Sequence, residues 1–261
     1  MVAAARLRKS QQAILNARPF AQKLEEMMAE AQAYVHDAEG LEDMVAPVGD
    51  KRLLLVVTSD KGLCGAFNTN LIREAIKYIR QHGADKVQLA IVGRKGRDYF
   101  RRIGIPIFKE YVNVLANVRF TQAELITQDL IDAFATRQYV AVDLLYNEFK
   151  SVLQQKIVIK TLMPMIPPQR TRPLLWPEYI YEPDKKELLA AFRIRYLKAQ
   201  VYRVLLESAA AELGARMNAM ENATKNASEL LSSFTLTMNR TRQATITNEI
   251  LEVVSGAEAL K

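Results

Sequence analysis

Apolar residues near both ends of the chain recur in alternating steps of three and four, which is the spacing of a heptad seam in a coiled coil. The first seam comprises Ile14, Ala17, Ala21, Leu24, Met28, Ala31, Val35 and Ala38. The second comprises Ala210, Leu213, Met217, Met220, Thr224, Ala227, Leu231, Phe234 and Met238. Two seams at opposite ends predict a long antiparallel coiled coil with the intervening residues inserted as a head. Two ordinary amphipathic helices of a bundle are the alternative.

Residues that break helices are nearly absent from the last part of the chain. No proline follows Pro183, and residues 184–261 contain only the glycines Gly214 and Gly256. Because Pro costs about 3 kcal/mol inside a helix and Gly about 1, this composition predicts one very long helix. At full length it would reach roughly 115 Å, which is too long to lie inside a compact domain of this chain. We therefore divide the chain into an N-terminal coiled-coil helix over 1–45, a head over 51–165, a Pro-rich linker over 166–183 and a C-terminal coiled-coil helix over 184–261.

Between the seams, short apolar runs alternate with helical patterns, which is typical of a Rossmann-like α/β domain. The predicted strands are Leu53–Val57, Val87–Val92, Ile105–Val114, Tyr139–Tyr146 and Ile157–Met163. The predicted helices are Asn68–Gln81, Arg94–Ile103 and one that Thr121 caps and that ends near Ala135. This order predicts a mostly parallel sheet in which the last two strands form a hairpin.

The composition and the loop motifs favour no catalytic chemistry. The single Cys64 excludes an intramolecular disulfide framework and is expected to be a small buried thiol. The loop after the first strand has neither GxGxxG nor GxxxxGK[ST]. Gly93-Arg94-Lys95-Gly96 could hold a phosphate, but two glycines at a helix start are common by chance. Asp60, near a helix start, is expected to cap or turn the chain. We predict no catalytic residue, no cofactor and no metal, and no apolar run approaches the roughly 20 residues of a membrane span.

Charge is unevenly distributed along the chain. The net charge of +7 and the pI near 9.4 are typical of nucleic-acid binders. However, residues 51–183 carry 20 basic and 12 acidic groups, whereas the long helix is nearly neutral. Within 221–248 only Glu221, Lys225, Glu229, Arg240 and Arg242 are charged. A helix surface so poor in charge is unusual in water, and it suits enclosure by another protein. The Arg240–Gln243 segment would then face acidic groups or carbonyls of that protein, or it is simply exposed.

The chain resembles the gamma subunit of F-type ATP synthase, the central rotor shaft. The segment Ile246–Ala257 (ITNEILEVVSGA) fits that family's C-terminal signature. Arg242-Gln243-Ala244, Met1–Lys9, Ser59–Asn68 and Tyr181–Asp184 resemble further family segments in the same order. The resemblance therefore covers essentially the whole chain.

The resemblance implies a non-catalytic, peripheral subunit at the cytoplasmic face of a bacterial plasma membrane. The coiled coil would turn inside a ring of three alpha and three beta subunits. The head would face the epsilon subunit and the proton-driven c-ring, which would provide the membrane association. ATP chemistry would belong to beta, with no nucleic acid bound. A Rossmann-like enzyme with an oligomerising coil and a basic nucleic-acid binder are the alternatives.

The resemblance also assigns individual residues. Arg242, Gln243, Thr247 and Glu249 match positions that contact a beta-subunit loop. Tyr179 and Glu182 match positions at the foot that face the c-ring. Members of the family begin about two dozen residues earlier, so we expect that either this segment is missing from the sequence or translation starts at Met1.

Overall fold

The computed structural model describes residues 2–33, 49–152, 154–165 and 185–258. In chain order the elements are α1 (Val2–Ala33), β1 (Lys51–Val57), α2 (Phe67–His82), β2 (Val87–Val92), α3 (Arg94–Arg102), β3 (Ile107–Tyr111), α4 (Phe120–Ala135), β4 (Tyr139–Phe149), β5 (Gln155–Met163) and α5 (Lys185–Glu258). The chain divides into two units, Met1–Asn218 and Ala219–Lys261. In the part of the chain described here, no helix is both long and apolar enough to cross a membrane.

The head is built on one five-stranded sheet with the order β3-β2-β1-β4-β5. The strands β1 to β4 run parallel, and β5 pairs antiparallel with β4. Strands of a parallel sheet are buried on both faces, so β1 and β2 consist of nearly continuous apolar residues. This arrangement confirms the predicted α/β fold class and the predicted hairpin.

Two apolar cores cover the two faces of the sheet, and alternate side chains of β1 enter each of them. Leu55 belongs to the first core, with residues of α4 and of α5. Leu54 belongs to the second core, with residues of α1, α2 and α3. The helix α5 contributes to both cores, through Leu197–Leu205 and Ala209 on one side and through Leu206, Ala210 and Ala211 on the other. The segment Leu197–Ala211 of α5 is therefore part of the head, although the sequence analysis assigned all of 184–261 to a coiled-coil helix.

Several predicted boundaries were wrong for identifiable reasons. The strand predicted over Ile105–Val114 is only Ile107–Tyr111, because Asn113 adopts a left-handed φ of 60° that ends an extended strand. Thr121 does not cap its helix. The helix begins at Phe120, and the Gln122 side chain accepts the backbone N–H of Arg119 at 3.0 Å, which is the return bond of a capping box.

Other predicted segments fall outside the described residues. The helix predicted over 1–45 is described as α1 up to Ala33, and 34–48 are not described. The Pro-rich linker over 166–183 also lies outside the described residues, together with Tyr179 and Glu182. The helix predicted over 184–261 is described as α5, Lys185–Glu258.

Candidate functional site

The carboxyl-terminal segment of α5, residues 220–258, is exposed at every position except the half-buried Asn239. Its exposed side chains include eleven large apolar ones: Met220, Leu230, Leu231, Phe234, Leu236, Met238, Ile246, Ile250, Leu251, Val253 and Val254. Exposed apolar groups on this scale are typical of surfaces that contact another protein. This segment, which we call the tip segment, is therefore a candidate contact surface for another chain.

The tip segment carries all four residues that the sequence predicted to contact a partner loop. Arg242, Gln243, Thr247 and Glu249 are exposed, and at 3.6 residues per turn they lie within about half of the helix circumference over about two turns. The Thr247 hydroxyl donates to the Gln243 carbonyl oxygen at 2.9 Å. This half of the helix thus offers a guanidinium, an amide and a carboxylate, which can hydrogen-bond and pair with charges on a partner.

The predicted seam residues divide between buried and exposed positions. Leu24 of α1 is buried, and Leu213 and Met217 are half-buried against the second core. Ala210 is also buried, and the seam residues of α5 from Met220 onward are exposed in this single chain: Met220, Thr224, Ala227, Leu231, Phe234 and Met238. Met28 lies in α1 but its side chain is not described, and Val35 lies outside the described residues. The coiled-coil pairing along the whole seam stays a prediction.

A second group of polar contacts joins α5 to the carboxyl ends of β1 and β4; we call it the head junction. The buried carboxylate of Glu207 accepts the backbone N–H of Phe149, the last residue of β4, at 2.9 Å. The Arg216 guanidinium donates to the Gly62 carbonyl, in the loop after β1, at 3.2 Å. Arg216 also forms an ion pair with Glu212 on the preceding turn of α5. These contacts hold two neighbouring strands to one helix.

Close backbone packing accompanies the head junction. A Cβ added to Gly214 would lie 3.3 Å from the carbonyl oxygen of Val152 and 3.5 Å from the Phe149 ring. Only a small residue at 214 lets α5 approach the loop after β4 so closely.

Burial raises the pKa of Glu212, and the nearby positive charge of Arg216 opposes that shift.

The sequence analysis missed the head junction. Glu207, Glu212 and Arg216 were not singled out, because a charged residue on a long helix is usually a solvated one. One signal was present: Glu207 and Glu212 flank Ser208–Ala211 in an otherwise apolar run from Val204 to Leu213. Acidic residues within such a run require a partner if the run is buried.

The loop after β1 occupies the amide groups that a phosphate would need. At the start of α3, Arg94 N–H donates to Asp60 Oδ1, Lys95 N–H to the Ser59 carbonyl and Gly96 N–H to Thr58 Oγ1. Asp60 also accepts the Asn113 N–H at 2.9 Å, so it turns the chain as predicted. Free amides at a helix N-terminus are what binds a phosphate in this fold. These three amides are already bonded within the protein.

The glycines of this region have a packing role. A Cβ on Gly96 would lie 2.7 Å from Thr58 Oγ1, and one on Gly93 would lie 2.1 Å from the Thr58 carbonyl oxygen.

The buried Cys64 lies in the loop after β1, where Asn68 donates to its sulfur at 3.2 Å. Burial raises the pKa of this thiol, which keeps it in the less reactive neutral form.

A cavity of about 300 Å³ lies between α1, α5 and the loops that follow β1 and β3. Its charged lining residues are Lys9, Asp60, Lys61, Glu212 and Arg216. Three cations and two carboxylates make it nearly neutral, and the amides of α3 do not face it as free donors. The geometry gives no support to a nucleotide site.

Comparison with known proteins gives a consistent picture over the whole chain. The profile of the family described as ATP synthase matches residues 1–260. The chain is 41% identical to the ATP synthase gamma chain of Geobacter metallireducens over 263 residues, which cover 100% of this chain and 91% of that protein. It is 42% identical to the gamma chain of Moorella thermoacetica, with the same coverage.

Solved structures of similar fold come from mitochondrial ATP synthases. The central stalk of the Tetrahymena thermophila enzyme superposes with a TM-score of 0.66 at 28% identity, covering 86% of this chain and 96% of that one. A chain of the Euglena gracilis enzyme superposes with a TM-score of 0.62 at 18% identity, covering 98% of this chain and 95% of that one. The second likeness concerns the fold alone.

Proposed function

The chain belongs to the ATP synthase gamma-chain family, and from that premise we propose that it is a rotor shaft that transmits rotation of a membrane c-ring to catalytic beta subunits. As a central-stalk subunit of ATP synthase, it would couple proton flow to ATP synthesis and hydrolysis without catalysing either. Its partners would be three alpha and three beta subunits, epsilon and the c-ring. In a bacterium it would lie at the cytoplasmic face of the plasma membrane, attached through the c-ring.

One observation carries this proposal: the tip segment is a long helix whose exposed surface bears many large apolar side chains and few charged ones. A helix exposed on all sides derives little stability from its own sequence, so a surrounding partner is needed. A shaft that turns past three equivalent subunits must also avoid being locked to one of them. The scarcity of charged side chains within 221–248 suits that requirement, because few ion pairs need to break at each step.

Within the tip segment, we propose that Arg242, Gln243, Thr247 and Glu249 contact a loop of the beta subunit. Their common side of the helix and their exposure support this assignment. For Tyr179 and Glu182, the family motif Tyr181–Asp184 supports a contact with the c-ring. The seam residues Leu213, Met217 and Met220 would continue the coiled coil toward the tip segment.

The alternatives are less well supported. An enzyme of Rossmann type would need free amides at α3, and those amides are bonded to Thr58, Ser59 and Asp60. A nucleic-acid binder would need an unbalanced basic face. Several basic residues of the head are instead paired with acids, as in Arg101 with Glu110 and Lys109 with Asp129.

The experiment that tests the proposal is assembly and activity of the whole complex. We expect the chain to copurify with two larger nucleotide-binding subunits, each in threefold excess. The double variant Arg242→Ala with Glu249→Ala should then lower coupled ATP synthesis, with Glu221→Ala with Lys225→Ala as the matched control on the same helix. Copurification without any loss of coupled activity in the double variant would refute the residue assignment. Failure of the unaltered chain to join such a complex would refute the function.

A further inference from the structure

We propose that the head junction is the torque-bearing joint of the rotor, with Glu207 and Arg216 as its two positioning residues. This inference rests on the proposed rotor function, because it names the contacts that must carry load between head and shaft. In it, Glu207 anchors α5 to the end of β4, and Arg216 anchors α5 to the loop after β1.

The apolar cores hold α5 in the head, and polar contacts add directional resistance to rotation about the helix axis. Leu197, Val201 and Leu205 pack into the first core, and Leu206 and Ala210 into the second. Interdigitated side chains oppose displacement of the helix, whereas the hydrophobic gain itself has no preferred direction. Directional contacts therefore add a resistance to twisting that the hydrophobic gain does not supply.

Hydrogen bonds from α5 to backbone atoms of the head provide this directional resistance to twisting. The two contacts have donor–acceptor distances of 2.9 and 3.2 Å, and such bonds weaken steeply when their angle is distorted. Both involve a charged side chain, which makes them stronger than neutral hydrogen bonds. The Glu207 contact ends on the main chain of β4, and the Arg216 contact ends on the main chain of the loop after β1. A load on α5 would therefore pass to β4 and, through that loop, to β1.

The positions of the two anchors suit a rigid joint. Glu207 and Arg216 are nine residues apart, which is roughly 13 Å along the helix. They reach the carboxyl ends of two adjacent parallel strands, β4 and β1. Two anchors separated along an axis resist both rotation and tilt, whereas one anchor would leave a pivot.

Other groups hold the two anchors in position. Glu207 is 4% exposed, so its carboxylate is shielded from competing water. The ion pair with Glu212 restricts the Arg216 guanidinium, and Gly214 lets the loop after β4 lie close to the helix between the two anchors. The junction is therefore ordered before any load is applied.

The test is a measurement of torsional stiffness in the assembled complex. The alpha and beta subunits are fixed to a surface, a bead is attached to the head, and the angular fluctuation of the stalled rotor is recorded. Two variants remove one anchor each. Glu207→Leu loses the acceptor for the Phe149 N–H, and Arg216→Met keeps the aliphatic packing but loses the donor.

We expect each variant to lower the torsional stiffness measurably without abolishing it, since Lys198 with Glu124 and Lys160 with Gln200 also join α5 to the head. Glu207→Gln retains an acceptor oxygen and should keep nearly full stiffness. Arg101→Met, which breaks an exposed pair elsewhere in the head, is the control for a general loss of charge. The rate of ATP hydrolysis should be unchanged, because the tip segment is untouched.

The torsional stiffness of the variant complexes shows whether the head junction bears the torque. If assembled Glu207→Leu and Arg216→Met complexes keep the torsional stiffness of the unaltered complex, the proposed role of the head junction is wrong. If Glu207→Leu does not assemble, Arg216→Met decides alone: lowered stiffness in Arg216→Met supports the proposal, and stiffness equal to that of the unaltered complex overturns it. An unaltered complex that does not form or does not rotate refutes the proposed function instead, so the two failures are distinguishable.

Discussion

Arg52 donates from Nη1 to Oδ2 of Asp143 across 2.7 Å, and this pair ties β1 to β4 near the centre of the sheet. Asp143 is buried and also accepts hydrogen bonds from the hydroxyls of Tyr78 and, at 2.6 Å, Thr161. Burial and the hydrogen bond to Asp143 raise the pKa of Tyr78 well above its ordinary value. One carboxylate thus joins β1, α2, β4 and β5.

Replacing Asp143 should destabilise the head strongly. Asp143→Ala leaves the Arg52 guanidinium without its buried counter-charge, and breaking a pair of this kind costs about 3–5 kcal/mol. Urea unfolding of the full chain, followed by circular dichroism, measures this loss. Asp98→Ala removes an exposed pair with Arg97 and should cost less than about 1 kcal/mol. Equal losses in the two variants would contradict the assigned role of Asp143.

Gly93 should tolerate no side chain. Its φ is 93°, and a Cβ would lie 2.1 Å from the Thr58 carbonyl oxygen. Gly93→Ala combines strain of the left-handed backbone with overpacking, so we expect a loss of about 2–5 kcal/mol in the free energy of unfolding. Gly104 also has a positive φ, but no atom lies within 4 Å of its added Cβ. Gly104→Ala should therefore cost only about 1–2 kcal/mol, and thermal unfolding of both variants checks the difference.

The stability of the chain should carry a pH-dependent contribution from Glu212. Burial raises the pKa of Glu212 above its ordinary value near 4.5. Above pH 4.5, and up to the raised pKa, the folded state therefore binds more protons at this site than the unfolded state does. The contribution to the free energy of unfolding falls as pH rises through that window, by at most about 1.4 kcal/mol per pH unit.

Glu212→Gln removes this contribution and isolates it. The stability of the variant relative to the unaltered chain should increase as pH rises through the same window. Urea unfolding of both chains at a series of pH values gives the difference. A constant difference, or one with the opposite slope, would show that Glu212 does not titrate with a raised pKa.

Loss of an aromatic side chain should have different effects in the core of the head and in the exposed tip segment. Phe234 is 66% exposed and Phe100 is fully buried. In the full chain, Phe100→Ala should lower the free energy of unfolding by about 3–5 kcal/mol, whereas Phe234→Asp should leave it unchanged. In the assembled complex, Phe234→Asp should instead reduce assembly or coupled activity. Destabilisation of the isolated chain by Phe234→Asp would mean that the tip segment has a partner within its own chain.

Local patterns were sufficient to predict most of the elements. The apolar runs of β1 and β2 and the absence of prolines after Pro183 predicted the right kind of element in the right place. The predicted ends of helices and strands were wrong where a specific contact determines where the element begins or ends. Gln122 turns back to Arg119 and starts α4 one residue before Thr121, and the pairing with β5 extends β4 to Phe149.

The contact role of Arg242 and Glu249 stays a prediction; the linear motif was enough to place both on the exposed part of α5. The head junction was not predictable in the same way. Glu207 meets Phe149, 58 residues earlier in the chain, and Arg216 meets Gly62, 154 residues earlier. Neither pair has a spacing that a local pattern can detect.

By itself, the sequence determined the two heptad seams, the long helix, the α/β head and the motifs of the gamma-chain family. All of these depend on periodicity, propensity or order along the chain. The tertiary structure alone decided that α5 enters both cores, that the loop after β1 occupies the amides of α3, and that Glu207 and Arg216 anchor the helix to the sheet. Such contacts form only when distant segments are brought together by burial of apolar surface, and a charged side chain takes its role from the backbone group that it then meets.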